Sequence, residues 1–319
     1  MGQLKGVLLD ADSLYPEDLD LSSILNIANI DWQVYPTSTP DTVLERISQA
    51  DVVLTNKALV RAPEIAGAAK LKYIGILATG TNAVDLDAAH RRNISTTNII
   101  DYGTPAVAQH TFALILALTT QLANYAQASL DGRWSDSENF CLLDLPVREL
   151  KGLTLGIIGY GVLGQAVATI ARAFGMEIIV AEVPGRASSA GDIARIPLAQ
   201  FLPLADIVSI HCPLADNTHH LISTQELTLM KTDALLINCA RGSIVDENAL
   251  AHALKNGDIA GAALDVLSEE PPPRNHVLLS GEIPNLIVTP HCAWGTRNAR
   301  QRLVDQAGQH LVNWLGSSV

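Results

Sequence analysis

Short apolar segments alternate with helical patterns through the first hundred residues of the chain. The segments that predict buried strands are Val7–Leu9, Trp32–Tyr35, Val52–Leu54, Tyr73–Leu77 and Ile94–Thr97. Between them, Asp41–Ala50 carries apolar residues at helical spacing, and Asp41 is its predicted N-cap. Such alternation is typical of a parallel sheet covered by helices. The pattern therefore predicts a small α/β domain at this end.

The same alternation returns after residue 150. Strands are predicted at Leu155–Ile158, Ile178–Val180, Ile207–Ile210, Ala234–Ile237, Gly261–Val266 and Leu286–Thr289. A long helix from Pro105 to Ala128 is apolar on most sides and is expected to be buried, and Asp246 is the predicted N-cap of a helix that ends near Gly257. The last helix, Arg297–Leu315, has no strand after it. We therefore expect it to pack back on the first domain, which makes that domain discontinuous.

A glycine-rich turn joins the first strand and helix of this second domain. Gly159, Gly161 and Gly164 are spaced G-x-G-x-x-G, and Glu182 ends the next strand. In this context the first glycine permits a tight turn, the second lets the backbone approach a pyrophosphate, and the third lets the helix pack on its strand. The helix N-terminus favours phosphate, and a carboxylate binds ribose hydroxyls. We predict a dinucleotide site that prefers NAD(H), with Arg186 as a residue that would instead favour NADP(H) by binding a 2′-phosphate.

Composition limits the classes of partner and compartment. The 319 residues are 48% hydrophobic and 17% charged, with a net charge of −12, which argues against nucleic acid and anionic membranes as partners. No signal peptide or membrane-length apolar run is recognisable, and the four cysteines form no C-x-x-C pair, so a cytoplasmic protein is expected. The His211-Cys212 and His291-Cys292 pairs lack metal-ligand spacing, and no metal site is predicted.

Ionisable residues stand just past the carboxyl ends of several predicted strands. Arg241, Asp265 and His291 each follow or close a strand, and Glu270 comes shortly after one. Because parallel strands end at one edge of the sheet, Arg241, Glu270 and His291 should converge near the cofactor. A histidine with a carboxylate partner is a proton donor for a forming alkoxide, and an arginine orients the substrate. A turn residue and a surface ion pair are the structural alternatives.

A second candidate contact follows the predicted strand that ends at Leu77. The small polar segment 78–82 has backbone N–H groups that can hold a carboxylate, and a simple strand-to-helix turn is the equally weighted alternative.

Several motifs in order resemble the D-isomer-specific 2-hydroxyacid dehydrogenase family over nearly the whole length. They are Gly159–Gly164, Asn238–Gly242, Asp265 through Glu270-Pro271, and Thr289-Pro290-His291. Segments 77–82, 108–111, 132–135 and 291–294 are most similar to its glycerate dehydrogenase (hydroxypyruvate reductase) branch. The resemblance implies an α/β fold of two doubly wound parallel-sheet domains. A Rossmann dinucleotide-binding domain (102–292) is inserted in a discontinuous flavodoxin-like substrate-binding domain (1–101 and 293–319).

The resemblance also implies residue roles. Arg241, Glu270 and His291 would be catalytic, with His291 as general acid/base, Glu270 holding it, and Arg241 binding the carboxylate and keto oxygen. Asp265 would contact the nicotinamide amide. The cofactor-binding set would be Gly159, Gly161, Val162, Leu163, Gly164, Glu182, His211, Pro213, Cys239, Ala240, Arg241, Asp265 and His291. The substrate-binding set would be Ala78, Thr79, Gly80, Arg241, His291 and Trp294.

Three functions are compatible with these residues. The first is an NAD(H)-dependent D-2-hydroxyacid dehydrogenase that reduces hydroxypyruvate or glyoxylate to D-glycerate or glycolate. The second is an NADPH-dependent reductase of broader 2-keto acid scope, and the third is a non-catalytic dinucleotide-sensing protein that binds protein partners. By resemblance to the family we expect a homodimer joined through the nucleotide domain, with the long helix and the segment 134–150 at the interface.

Overall fold

The computed structural model describes residues 3–184 and 193–317, which divide into two compact units. Unit 1 takes the described residues of 1–103 and 295–319, and unit 2 takes those of 104–294. The described strands, in chain order, are β1 (Leu4–Leu8), β2 (Ile30–Val34), β3 (Val52–Thr55), β4 (Tyr73–Ile76), β5 (Ser95–Asn98), β6 (Thr154–Ile158), β7 (Glu177–Ala181), β8 (Arg195–Ile196), β9 (Ile207–Ile210), β10 (Leu235–Asn238), β11 (Gly261–Leu264) and β12 (Leu286–Val288).

The described α-helices connect these strands. They are α1 (Ser22–Leu25), α2 (Pro40–Ile47), α3 (Ala62–Gly67), α4 (Leu86–Arg91), α5 (Thr104–Thr120), α6 (Leu122–Leu130), α7 (Val162–Ala173), α8 (Leu198–Phe201), α9 (Thr224–Leu229), α10 (Glu247–Asn256) and α11 (Arg297–Ser317).

Unit 1 is built on a five-stranded parallel sheet in the order β2-β1-β3-β4-β5. Every residue of β3 and β4 is buried, because the central strands of a parallel sheet are covered on both faces. This strand order is the flavodoxin-like form of the doubly wound fold. The predicted fold class of this unit is confirmed.

Unit 2 is built on a seven-stranded parallel sheet in the order β12-β11-β10-β9-β6-β7-β8. The order reverses where β6 pairs with β9, with Leu155 opposite Ile207. Ligands of open α/β sheets bind outside the carboxyl ends of the strands at such a reversal, and this order is that of a Rossmann domain. The predicted Rossmann fold is confirmed, although the pattern did not predict the two-residue strand β8.

Helix ends agree with the sequence at α10 and differ at α2. The Asp246 carboxylate accepts hydrogen bonds from two backbone N–H groups of α10, and Gly257 ends that helix with a φ of 75°, as predicted. The predicted Asp41 N-cap is wrong. Thr39 is the N-cap, its backbone N–H donates to the Thr42 hydroxyl at 3.1 Å, and Pro40 occupies the first helical position. Asp41 lies in the first turn.

The predicted single helix Pro105–Ala128 is two helices. Gln121 adopts the left-handed region with a φ of 53°, which ends α5 and turns the chain by 60° into α6. Within the described ranges no single helix is long and apolar enough to cross a membrane. Among the described helices, only α5 and α6 taken together have the length and apolar composition of a membrane span, and they are bent by 60°. In α5, residues such as Phe112, Ile115 and Leu118 are buried in the core of unit 2.

The C-terminal helix α11 packs in unit 1. The guanidinium of Arg300, which is 8% exposed, donates to both carboxylate oxygens of Asp18 at 2.7 and 2.8 Å. It also donates to the carbonyl oxygens of Leu14 and Tyr15 at 2.9 and 2.8 Å. A buried arginine requires such complete pairing, so these bonds hold the C-terminal helix to the N-terminal segment.

Candidate active site

The glycine turn after β6 leaves space where a phosphate would lie. A Cβ added at Gly159, whose φ is 98°, would overlap with the backbone of Cys212, and one added at Gly164 would overlap with the carbonyl oxygen of Gly159. A Cβ at Gly161 would have no heavy atom within 4 Å. The first and third glycines are therefore required by packing inside the protein. The second faces open space at the N-cap of α7, which fits the backbone approach of a pyrophosphate.

The remaining cofactor-site candidates near this turn lie where a dinucleotide would extend. Val162 and Leu163 begin α7, and Val162 is 57% exposed. Glu182 follows β7 at the carboxyl edge of the sheet and is exposed, with its backbone N–H bonded to the carbonyl oxygen of Ile196 at 2.8 Å. Arg186, the residue that would favour NADP(H), lies outside the described residues.

His211 lies beneath the glycine turn at the end of β9. Its Nε2 is 2.8 Å from the Ser209 hydroxyl, and its Nδ1 is buried without a hydrogen-bond partner among the described residues. Burial lowers the pKa of His211 to about 4, so the ring is neutral at neutral pH. Pro213, two residues on, accepts a hydrogen bond from the Thr218 hydroxyl at 2.7 Å. A buried nitrogen without a protein partner indicates a position that a ligand or water satisfies.

His291 and Glu270 are hydrogen-bonded at the carboxyl edge of the same sheet. The His291 Nδ1 lies 2.6 Å from the Glu270 Oε2, and the other carboxylate oxygen accepts the backbone N–H of Leu267 at 2.9 Å. Because the carboxylate is the acceptor, Nδ1 carries a proton and Nε2 is the ring nitrogen turned away from Glu270. His291 also has a φ of 51°, a backbone conformation that a non-glycine residue adopts at a cost of about 1–2 kcal/mol. Such strain concentrates at functional sites.

Arg241 follows β10 in a turn held by Asn238. The Asn238 side chain accepts the N–H of Ala240 at 3.0 Å and donates to the carbonyl oxygen of Arg241 at 2.9 Å. The Arg241 guanidinium is half-buried and donates to the Ala240 carbonyl oxygen at 2.6 Å. A Cβ at Gly242 would overlap with the backbone of Leu267 and Ser268. The turn with Arg241 therefore packs directly on the turn that carries Glu270.

Asp265 lies at the centre of a hydrogen-bonded cluster beside the His291–Glu270 pair. It is 1% exposed, and its Oδ1 accepts the Thr289 hydroxyl at 2.6 Å and the Cys292 N–H at 2.9 Å, while its Oδ2 accepts the Ala293 N–H at 2.8 Å. His110 of α5 reaches the same cluster, with Nε2 3.0 Å from the Thr289 hydroxyl oxygen and 3.4 Å from Asp265 Oδ1. These bonds fix the direction of the segment that contains His291.

A second buried pair supports the Glu270 turn from below, and the sequence reasoning missed it. Glu247 and His276 are each 9% exposed, and His276 Nε2 lies 3.1 Å from Glu247 Oε2. The Glu247 carboxylate also accepts the N–H of Ser268 at 2.7 Å and its hydroxyl at 2.5 Å. Glu247 directly follows the N-cap Asp246, which accounts for its being read only as a helix residue. His110 lies in segment 108–111, which resembles the family, but that resemblance implies no role for it.

The other predicted substrate contacts belong to two different units. In unit 1, Ala78, Thr79 and Gly80 follow β4, where the Thr79 hydroxyl donates to the Ile99 carbonyl oxygen at 2.9 Å and Asn98 donates to the Thr79 carbonyl oxygen at 2.8 Å. In unit 2, Trp294 ends the segment after His291 and is half-buried. Cys239 and Ala240 are both 8% exposed at the end of β10.

Unit 2 thus combines a glycine turn that faces open space with an acid–base pair and a cation. The strands β10, β11 and β12 are neighbours, so Arg241, Asp265 and His291 lie at the ends of three adjacent strands. A carboxylate-paired histidine transfers a proton to or from an oxygen, and a guanidinium orients a carboxylate. This arrangement suits the reduction of a carbonyl in a small acid, for which a bound nicotinamide supplies the hydride.

Comparisons with known proteins agree with this chemistry. The family profile described as D-isomer specific 2-hydroxyacid dehydrogenase, NAD binding domain, matches residues 112–293. The chain is 40% identical to glycerate dehydrogenase from Methylorubrum extorquens over 270 residues, covering 85% of this chain and 84% of that protein. It is 33% identical to hydroxypyruvate reductase from Blautia hydrogenotrophica over 317 residues, covering 99% and 98%.

Among solved structures, the TT0316 protein from Thermus thermophilus is similar with a TM-score of 0.87 and 32% identity, covering 98% of this chain and 97% of that one. The match of the family profile spans more than half of the chain, and the similar proteins match along most of it. The chain therefore belongs to the D-isomer-specific 2-hydroxyacid dehydrogenase family and is an oxidoreductase that binds a nicotinamide dinucleotide.

Proposed function

We propose that this protein reduces hydroxypyruvate or glyoxylate to D-glycerate or glycolate with NADH. The observation that carries the proposal is the 2.6 Å pair of His291 and Glu270 on the sheet edge that also bears the glycine turn. The similar proteins named glycerate dehydrogenase and hydroxypyruvate reductase support this choice of substrates.

In the proposed reaction His291 is the general acid. Its Nε2 donates a proton to the substrate's carbonyl oxygen as the carbonyl carbon accepts the hydride that bound NADH supplies, and the product is a 2-hydroxy acid. Glu270 stabilises the protonated ring before transfer and holds its orientation through Nδ1. On oxidation of the alcohol the same nitrogen accepts the proton. Asp265 is proposed to position the nicotinamide amide.

Arg241 is proposed to hold the substrate's carboxylate. Arg241 presents a guanidinium, which binds carboxylates in a two-point geometry. The turn Ala78–Gly80 supplies backbone N–H groups, which makes unit 1 the proposed substrate-binding domain. A small acid held by its carboxylate leaves its 2-keto carbon as the reacting centre.

NADH is the proposed cofactor because of Glu182. Its exposed carboxylate stands at the end of β7, where it accepts hydrogen bonds from ribose hydroxyls and repels a 2′-phosphate. A preference for NADPH would instead give Arg186 the deciding role. Glu182→Ala is therefore expected to narrow the preference for NADH over NADPH by at least about tenfold, since one charge-assisted hydrogen bond contributes about 1.5–3 kcal/mol.

A homodimer is proposed because large apolar side chains are exposed from the end of α6 into the segment 134–150. In unit 2 the side chains of Leu130, Phe140 and Leu143 are 83%, 91% and 85% exposed. Several large apolar side chains exposed along one segment mark an interaction surface. Sedimentation analysis should give twice the chain mass for the wild type and the chain mass for Phe140→Asp with Leu143→Asp. A wild-type monomer would contradict this part of the proposal.

The function is tested by following NADH oxidation with hydroxypyruvate, glyoxylate and pyruvate, and again with NADPH. Rapid turnover of hydroxypyruvate or glyoxylate with NADH is expected. His291→Ala is expected to reduce turnover by about 10²–10⁴-fold with NADH binding retained. His252→Ala, on an exposed face of α10, is the matched control and should keep wild-type turnover.

The outcomes separate the alternatives. Turnover with NADPH alone would identify the broader reductase. NADH binding without turnover of any of the three acids would point to a different 2-keto acid or to the dinucleotide-sensing function. Near-full turnover in His291→Ala would refute the assignment of the general acid.

A further inference from the structure

We propose that His110, Asp265 and Cys292 form a binding site for one zinc ion. Their ligand atoms, an imidazole nitrogen, a carboxylate oxygen and a thiol sulfur, all lie within 4.8 Å of one another in unit 2. The three residues come from α5, the end of β11 and the segment after β12. The three residues are far apart in sequence, so a search for metal-ligand spacing within short segments could not find them.

The distances match the edges of a tetrahedral zinc site. Zinc bonds of about 2.0 Å to nitrogen or oxygen and about 2.3 Å to sulfur place ligand atoms about 3.3–3.6 Å apart. His110 Nε2 lies 3.4 Å from Asp265 Oδ1, and Cys292 Sγ lies 3.6 Å from the same oxygen. Two of the three edges are therefore formed before any ion binds. The third edge, between His110 and Cys292, spans at most 4.8 Å and must shorten when the ion binds.

The central ligand is held in place by the backbone. The N–H of Cys292 donates to Asp265 Oδ1 at 2.9 Å, and the N–H of Ala293 donates to Oδ2 at 2.8 Å. Asp265 is 1% exposed, so its negative charge is largely withdrawn from water. Partners that fix a ligating carboxylate are what a metal site needs beyond its direct ligands. A divalent cation compensates this buried charge.

The donor set selects zinc over the common alkaline-earth ions. Magnesium and calcium prefer oxygen ligands alone, whereas a thiolate and an imidazole favour zinc or other late transition metals. Binding replaces the thiol proton of Cys292, so one proton is released. The Nε2 of His110 faces the Thr289 hydroxyl oxygen and Asp265 Oδ1, so its proton must move to Nδ1 before Nε2 can bind the ion. Three protein ligands leave the fourth position to water.

The site borders the proposed catalytic residues. Cys292 directly follows His291, and Asp265 is the residue proposed to position the nicotinamide amide. Zinc on Asp265 would therefore compete with NADH for the enzyme. This competition rests on the proposed function, whereas zinc binding itself does not.

Binding is tested on the full chain without cofactor by calorimetric titration with Zn²⁺. Spectroscopic titration with Co²⁺ complements it, because a thiolate ligand gives a charge-transfer band that exposed carboxylates do not produce. One site per chain is expected, with the band present. Cys292→Ser and His110→Gln should each weaken Zn²⁺ binding by on the order of 100-fold, since loss of even an outer partner of a ligand costs about 10–100-fold. Cys141→Ser and His252→Gln are the matched controls and should bind within twofold of the wild type.

Two results would overturn the proposal. One is the absence of a thiolate–cobalt band in the folded wild type. The other is a band or a Zn²⁺ affinity that Cys292→Ser leaves unchanged, because the ion would then lie elsewhere. Circular dichroism of each variant confirms folding, and Cys292→Ser decides alone if His110→Gln unfolds. NADH binding in the absence of zinc reports the cofactor site separately, so a failed dehydrogenase assay leaves this test intact.

Discussion

Gly161→Ala separates dinucleotide binding from folding. Gly161 is the N-cap of α7, with a φ of −86° and a ψ of −161°, which alanine also adopts. An added Cβ would meet no heavy atom of the described chain within 4 Å. The substitution therefore fills space that only a bound ligand would occupy.

The expected effects follow from this geometry. Alanine is a slightly poorer N-cap than glycine, so the free energy of unfolding should fall by less than about 1 kcal/mol. The added methyl group holds a pyrophosphate away from the N–H groups of α7. Loss of one charge-assisted hydrogen bond costs about 1.5–3 kcal/mol, and this raises the dissociation constant for NADH about 10- to 100-fold.

Fluorescence titration with NADH measures the dissociation constant, and urea denaturation without cofactor measures the stability. Gly164→Ala is the matched control. Its Cβ would overlap with the carbonyl oxygen of Gly159 and lie 3.2 Å from Ile157, so it should lower the stability by about 1–3 kcal/mol. A dissociation constant for Gly161→Ala within twofold of the wild type would refute the reasoning, because the pyrophosphate would then not lie against this turn.

Three further predictions concern the turns and one structural carboxylate. Gly242→Ala should lower kcat about 100-fold. The new Cβ separates the Arg241 turn from the turn that carries Glu270, and a displacement of about 1 Å at an active site costs about that factor. An unchanged kcat would contradict the packing of these two turns on each other. Glu270→Gln should lower kcat by at least about tenfold with NADH binding retained, as stopped-flow and binding measurements would show. Burial acts to raise the pKa of Asp206, but the Lys231 ammonium at 2.7 Å and a backbone N–H outweigh burial and lower the pKa below 3.8. Asp206→Asn should therefore lower the free energy of unfolding by about 1.5–3 kcal/mol at pH 7, as measured by urea denaturation. The difference between wild type and variant should vanish as the pH falls below 3.8 through the folded-state pKa of Asp206. A difference in stability that persists in acid would contradict the role of the Asp206 charge.

Local patterns in the sequence were sufficient for most elements of the fold. All strands among the described residues except β8 were predicted within a few residues, because a buried parallel strand is a short apolar run whose signal lies within the run itself. The same holds for α10, where Asp246 and Gly257 are chemical signals for the first and last turn. The order of the motifs also sufficed for the family.

Only the tertiary structure decided the breaks and contacts that depend on distant residues. The left-handed Gln121 ends α5 after the polar residues Thr119 and Thr120, whereas the helical spacing of apolar residues continues beyond it. That spacing did not predict that α6 leaves Leu122 63% exposed and buries only Ala128. His110 and Thr289 are 179 positions apart and meet because α5 packs on β11 and the sheet order places β12 next to β11. A sequence pattern specifies whether an element is a helix or a strand, through the spacing of its apolar residues, and where the element ends, through its capping residues. Which side chains share a hydrogen bond is decided by how the sheet is ordered and packed.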